Sequence, residues 1–255
     1  MRAQTFKTNT TTAQSTILIV EGKEDEAVIR ALLETMPGFQ NQIQIIDGRG
    51  KDNFPGTLDE LQTTRGFFDV KTIAFIRDAD YGSSSESAFV KSCREMRKTI
   101  NEFTIPQIES DLIHGIDSTF FKQALVQHHQ ENLNINFGFF ILPDHASAGM
   151  LETLCLESIR PRIDVNTLKC IDSYSECLQS TFNDHLEHDK FKARIHLAAL
   201  KINNASITSI LSMKDKNNKY KYIDFQDNCW SRLKDFLNEL IGFFPTEPAI
   251  SDSNE

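Results

Sequence analysis

No stretch of this 255-residue chain approaches the roughly 18 consecutive apolar residues of a membrane span, so a helical membrane protein is not expected. The segment Met1 to Thr12 also lacks the apolar stretch of a secretory leader. Cysteine is scarce: Cys93, Cys155, Cys170, Cys177 and Cys229 form no C-x-x-C pair and are odd in number. That excludes a zinc ribbon or a disulfide framework and fits reduced thiols in a cytoplasmic protein. Positive charge is in deficit as well. Against 36 Asp and Glu stand 27 Lys and Arg, a formal net charge of −9. This argues against broad adhesion to nucleic acid, which depends on cations neutralising phosphates. A metal-dependent nuclease survives the argument, because bound divalent ions bring positive charge locally and their ligands account for part of the acidic excess.

What is present is a hydrophobic fraction of 40%, enough for a real core, arranged in short apolar runs. Ile17–Val20, Ile43–Ile46, Ile73–Ile76 and Phe137–Leu142 each have the length and branching of a buried strand. Helical periodicity follows the first run over Lys23–Met36, ended by Pro37-Gly38, and the third over a segment reaching Ile100, with Ser83 to Ser85 as cap candidates. A shorter helix is predicted near 57–65, another over Phe120–His129, and another from Ser147 to Ile159. From 164 to 243 the periodicity is helical throughout. The expected fold is therefore α/β: a central, mostly parallel sheet flanked by helices, with a helical C-terminal portion. The expected organisation is a flexible 1–14, an α/β domain over 15–160, a helical portion over 161–244 packed on it, and a disordered tail over 245–255.

Two of the apolar runs stop abruptly at acids. One reads Ile17-Leu-Ile-Val-Glu21-Gly-Lys-Glu-Asp25, the other Ile73-Ala-Phe-Ile-Arg-Asp78-Ala-Asp80. In open α/β sheets the chemistry sits at the carboxyl ends of the strands. Glu21 and the Asp78/Asp80 pair delivered to one edge make a cup of three carboxylates. Such a cup needs a cation, or protons, to exist, and oxygen-only ligands favour Mg²⁺ or Mn²⁺. Period-two alternation places Asp78 and Asp80 on one side of an extended segment. Lys23, at a helix start beside Gly22, is a phosphate-contact candidate. So are Arg49 and Lys51 in the glycine-rich loop Asp47-Gly-Arg-Gly-Lys-Asp. Each of these residues taken alone is equally at home as a helix cap or a solvated turn. The ordered pairing of two strands with two acidic clusters carries the functional reading.

Glu21-Gly22 and Asp78-Ala-Asp80, each after a hydrophobic strand, resemble the Toprim domain of topoisomerases, DnaG-type primases and overcoming-lysogenization-defect (OLD) nucleases. With Phe139-Phe-Ile-Leu-Pro143-Asp144, Gly149-Met-Leu-Glu152 and Lys192-Ala-Arg-Ile-His196, residues 15–242 look most like the small stand-alone Toprim-like DUF3226 proteins. The resemblance implies a Rossmann-like sheet. It implies Glu21 as metal ligand or acid/base, and Asp78 and Asp80 as Mg²⁺ ligands. Asp25 (with Glu26 as a substitute) and Glu152 match the acids that OLD-type nucleases add for a second metal. Lys190 or Lys192 is the nearest match to their catalytic lysine. Topoisomerases need a tyrosine in a separate large domain, for which 255 residues leave no room, and primases a zinc domain, so neither strand passage nor primer synthesis is expected. The function implied is Mg²⁺- or Mn²⁺-dependent cleavage of DNA or RNA phosphodiesters, in repair or defence, beside a protein partner such as an ATPase.

Two other readings compete. A non-catalytic Toprim-like module within a larger assembly fits the acidic charge and the Phe-rich segments Phe67-Phe68 and Phe243-Phe244. A haloacid-dehalogenase-type phosphatase would also use Asp-x-Asp, but that motif normally follows the first strand and continues with Thr or Val, whereas here Tyr81 follows. His145, after the fourth run, is a proton-transfer candidate. His185-x-Glu187-His188 has no third ligand at zinc spacing and reads as a solvated face. The basic groups Arg94/Arg97/Lys98 and Lys214–Lys221 read as solvated surface first and nucleic-acid contacts second.

Overall fold

The computed structural model describes residues 13–37, 43–80, 87–105, 120–182, 193, 195–198, 206–217 and 220–242. Strand β1 (Thr16–Val20) is buried at all five positions. A strand covered on both faces shows no polar alternation, so it reads as an unbroken apolar run. Helix α1 (Lys23–Glu34) carries Glu24, Asp25 and Glu26 in its first turn, where the helix dipole favours anions, and buries Val28, Ile29, Ala31, Leu32 and Leu33. Strand β2 (Ile43–Asp47), helix α2 (Phe54–Gln62) and strand β3 (Thr72–Asp78) follow. Helix α3 (Ala88–Phe103) is capped by Ser87, whose Oγ accepts from the Val90 N–H at 3.2 Å. The predicted caps Ser83 to Ser85 lie outside the described residues.

The chain then forms a hairpin of β4 (Phe121–His128) and β5 (Glu131–Leu142). Helix α4 (Leu151–Ile159), α5 (Val165–Phe182), α6 (Ile207–Leu211) and α7 (Ser231–Gly242) complete the described elements. The helix predicted over Phe120–His129 is thus a strand. Every residue from Phe121 to His128 pairs antiparallel with β5, from Phe121 opposite Gly138 to His128 opposite Glu131. Pairing with a distant partner overrode the local pattern. Helix α4 starts later than Ser147 because the Asp144 carboxylate first accepts from the Ala146 and Ser147 N–H groups, at 3.0 and 2.7 Å, holding a turn there.

The sheet order is β2-β1-β3-β5-β4, with only β4 antiparallel. From β1 the chain crosses outward to β2, then back over β1 to β3 on its other side. The order reverses between β1 and β3, and a crevice opens at their carboxyl ends.

Two cores cover the sheet. On one face Ile17, Ile19, Phe75 and Phe137 meet Phe54, Leu58 and Leu61 of α2 and Cys93, Met96 and Ile100 of α3. On the other, Leu18, Val20, Ile76 and Phe140 meet α1, α4, α6 and α7 in one continuous cluster. Phe236 of α7 sits at its hub, its ring 5.2 Å from Phe121, 5.3 Å from Phe120 and 5.6 Å from Phe140. The C-terminal helices therefore share a core with the sheet. No helix among the described residues is long and apolar enough to cross a membrane.

Replacing Phe236 with Ala leaves a cavity that joins these elements and is expected to cost about 3–5 kcal/mol. Urea unfolding followed by circular dichroism and by Trp230 fluorescence checks this. Both probes should shift together to a lower midpoint; a shift in one alone would mean that α7 and the sheet unfold separately.

Candidate active site

Every strand that points at the crevice ends in chemistry. Glu21 directly follows β1, and Asp78 closes β3. Side-chain parity sets their directions: Arg77 shares the face of Phe75 and α3, while Asp78 shares the face of Ile76, α1 and α4. Two helix starts add Asp25, in the first turn of α1, and Glu152, in the first turn of α4.

Asp78 is buried, and its Oδ1 accepts from the Leu151 N–H at 2.9 Å, the first helical residue of α4. Glu21 Oε2 accepts from the Asp78 N–H at 3.3 Å, which ties the ends of β1 and β3 together. Asp25 reaches back to the Gly22 N–H, the half of a capping box in which the third helical residue satisfies the cap backbone. Gly22 itself is extended, with φ −152°, a conformation open to any residue.

Burial is the largest influence on all three of these acids, and it penalises the charged form. It pushes Asp25 up to about 7, with the Glu21 and Glu152 carboxylates adding to the effect. Asp78 is held well above the usual carboxylate range by burial and then by Asp25, Glu21 and Glu152. Glu21 is raised by burial and by Asp80, with the Asp78 N–H, Lys51 and Arg77 working the other way.

The expectation that Asp78 and Asp80 share one side of an extended segment does not hold. The strand ends at Asp78, and Asp80 has φ 60°. Its backbone exchanges hydrogen bonds with Gly149, at 2.9 and 3.1 Å, and this turns the chain. Gly149, at φ 145°, is required there: a Cβ would lie 2.8 Å from Thr153 Oγ1 and 3.0 Å from Pro143 Cδ. The Asp80 carboxylate consequently meets the Lys51 ammonium in an ion pair rather than facing the Leu151 end of the site. The acids form two groups that share Glu21. One contains Asp25, Asp78 and Glu152, the other Asp80 with Lys51 and Arg77.

The donor set is oxygen-only, the chemistry that suits Mg²⁺ or Mn²⁺. The residues fit such an ion in type and in mutual repulsion. Among the described residues, no group of three or more His, Cys, Asp or Glu side chains is arranged to hold a metal ion.

Other candidates lie elsewhere. Arg49 is ion-paired with Glu60 of α2, and its N–H is held by Asp47, so it is turned to that helix. Lys23 is exposed at the start of α1. Lys190, Lys192, His185 and His188 lie outside the described residues, as do Phe243 and Phe244. His145 is not placed for proton transfer. Its Nδ1 accepts from the Ile141 N–H at 3.0 Å, and the rings of Phe89, Phe120, Phe139 and Phe140 surround it. Burial, then Arg232, lowers its pKa to about 4 and keeps it neutral. Of the Phe67-Phe68 pair, Phe67 is buried and Phe68 lies exposed against His128 and His129.

At the opposite pole a cavity of about 760 Å³ is lined by Glu34, Arg162, Lys214, Tyr220 and Asp224 among others. Its charges answer one another, with Lys214 to Glu34 at 3.7 Å and Arg162 to Asp224 at 3.0 Å. The acidic rim is the stronger candidate, because burial and neighbouring acids raise Glu21, Asp25 and Asp78 there.

Sequence reading missed Arg77. It is buried, its Nη2 lies 2.9 Å from Glu95, and its charge favours the ionised form of Glu21. Its signal was visible: a lone cation inside an otherwise apolar strand needs a partner. Ser92 was missed too; its Oγ donates to the Ala79 carbonyl at 3.3 Å and ties α3 to the end of β3.

A family described as a protein of unknown function, DUF3226, matches residues 15–242. No curated protein and no solved structure matches the chain.

A raised carboxylate makes the folded protein hold a proton that the unfolded chain has already released. Stability contributed by Asp25 is therefore present below about pH 4 and lost as pH rises to about 7. Asp25→Asn is expected to raise the melting temperature of the metal-free protein at pH 8, by about 2–4 °C per kcal/mol of repulsion relieved, and to change it little at pH 4. Thermal melts across that range check the sign; an equal effect at both pH values would mean that Asp25 is not strained by its neighbours.

Proposed function

The chain belongs to the DUF3226 family, and from the convergence of buried acids at its sheet edge we propose that it is a Mg²⁺- or Mn²⁺-dependent nuclease of Toprim type, cleaving DNA or RNA phosphodiesters. The observation that carries the reading is the group Glu21, Asp25, Asp78 and Glu152. These acids come from two strand ends and two helix starts, and each of the first three is raised by burial and by neighbouring acids. A structural role would not bring such groups together, because their repulsion opposes folding. A cation offsets that repulsion, and the likeness of the Glu-Gly and Asp-x-Asp segments to Toprim and OLD-type nucleases supports a divalent one.

Glu21, Asp25, Asp78, Asp80 and Glu152 would hold Mg²⁺ or Mn²⁺. Such an ion supplies water activation and charge stabilisation at a phosphodiester. The chain's own part is to keep these oxygens at the crevice and to orient the phosphate. Lys51 is placed at the rim for that task, and Lys23 stands at the adjacent helix start with its backbone N–H groups. Arg77 lies too deep to touch substrate; its charge favours the ionised form of Glu21, less than the Asp78 N–H and Lys51 do, while burial keeps that carboxyl raised. A role in defence or repair beside an ATPase, in the cytoplasm, follows by analogy with OLD-type systems alone.

Single- and double-stranded DNA and RNA incubated with Mg²⁺ or Mn²⁺ test the proposal. Cleavage is expected, is abolished by chelation, and drops in Asp78→Asn and Glu21→Gln by about a hundredfold or more, since even supporting partners of a metal ligand are worth 10–100-fold. Mn²⁺ binding without cleavage of any of the four would overturn it in favour of a non-catalytic subunit of a larger assembly.

A further inference from the structure

We propose that Lys51 is a tethered counter-cation that occupies Asp80 until a divalent ion takes its place, whereupon its ammonium moves to the substrate phosphate. This rests on the reading of the acidic rim as a divalent-cation site. It goes beyond that reading by making metal entry and phosphate contact a single exchange.

Three observations carry it. The Lys51 ammonium is ion-paired with Asp80 Oδ2, so a group needed by the metal is engaged by the protein's own cation. The two side chains are 36% and 37% exposed, which leaves the pair screened by water and readily exchanged. Lys51 is also leashed to the rim. The preceding residue, Gly50, donates its N–H to the Glu21 carbonyl at 2.8 Å, and Lys51 itself opens the short 3₁₀ turn Lys51–Asn53. Within that leash the flexible four-carbon lysine stem lets the ammonium swing.

Electrostatic repulsion explains the coupling. A divalent ion entering beside Asp80 and Glu21 neutralises the acids that hold the ammonium and repels it. A substrate phosphate at the same rim is then the anion left to receive it, to which a lysine binds as a mobile point charge. Arg49, on the same loop, is ion-paired instead with Glu60 of α2.

Mn²⁺ titrations by calorimetry without nucleic acid read the first half. Lys51→Gln should bind Mn²⁺ about three- to fivefold more tightly than the unaltered protein, the upper scale of a screened ion pair removed. Lys51→Arg, which keeps the charge, and Lys91→Gln, a charge-matched change on α3, should stay within about twofold of it. A fluorescent oligonucleotide titrated with Ca²⁺ present reads the second half, and Lys51→Gln should bind it more weakly, with recovery in Lys51→Arg. Equal or weaker Mn²⁺ binding by Lys51→Gln overturns the exchange, and so does unchanged oligonucleotide binding. If neither the unaltered protein nor any variant binds Mn²⁺, the cation site itself falls, a result distinct from equal affinities.

Discussion

Like charges held out of water at one point of the fold are the constraint around which this protein is organised. Asp25, Asp78, Glu21 and Glu152 meet where the strand order reverses, and burial removes the solvent that would screen them. Three of the four are secured by backbone: Asp78 by the Leu151 N–H, Glu21 by the Asp78 N–H, Asp25 by the Gly22 N–H. These bonds favour the ionised carboxylates and resist the protonation that burial encourages. The site is thus held between two opposed influences, burial favouring the protonated carboxyls and these bonds the ionised ones.

The remainder of the structure serves to hold that edge steady. The two apolar cores lock β1 and β3 between α2 and α3 on one face and the other helices on the opposite face. Arg77 and Ser92 fasten the end of β3 to α3 from beneath. The left-handed Asp80 is pinned by its two bonds to Gly149 and so sends its carboxylate toward the β2–α2 loop instead of toward Asp78. His145, which sequence made a candidate acid or base, closes the exposed Ile141 N–H beyond the end of β4, a structural task for which a neutral ring is required.

The parallel strands were legible because burial on both faces leaves an uninterrupted apolar run, and the acids that end two of those runs stood out for the same reason. Strand β4 was not legible. Its residues alternate imperfectly, and its state was decided by β5. The Asp-x-Asp geometry was misread since alternation holds only while the backbone is extended, and nothing nearby in the chain announces that Gly149 will turn it at Asp80. Arg49 and Lys51, two residues apart in one loop, looked equivalent; the structure sends one to Glu60 and the other to Asp80.

By itself, then, the order of residues determined which segments are buried strands, where the acids fall relative to their ends, and that the class is α/β. Those properties depend on neighbours within a few positions. Only the tertiary structure decided that Glu152 joins Asp25 and Asp78, that Glu21 links two groups of acids, and that Lys51 rather than Arg49 reaches the rim. These depend on distances between segments 30 to 130 positions apart, and electrostatic energy is set by separation in space, to which separation along the chain is no guide.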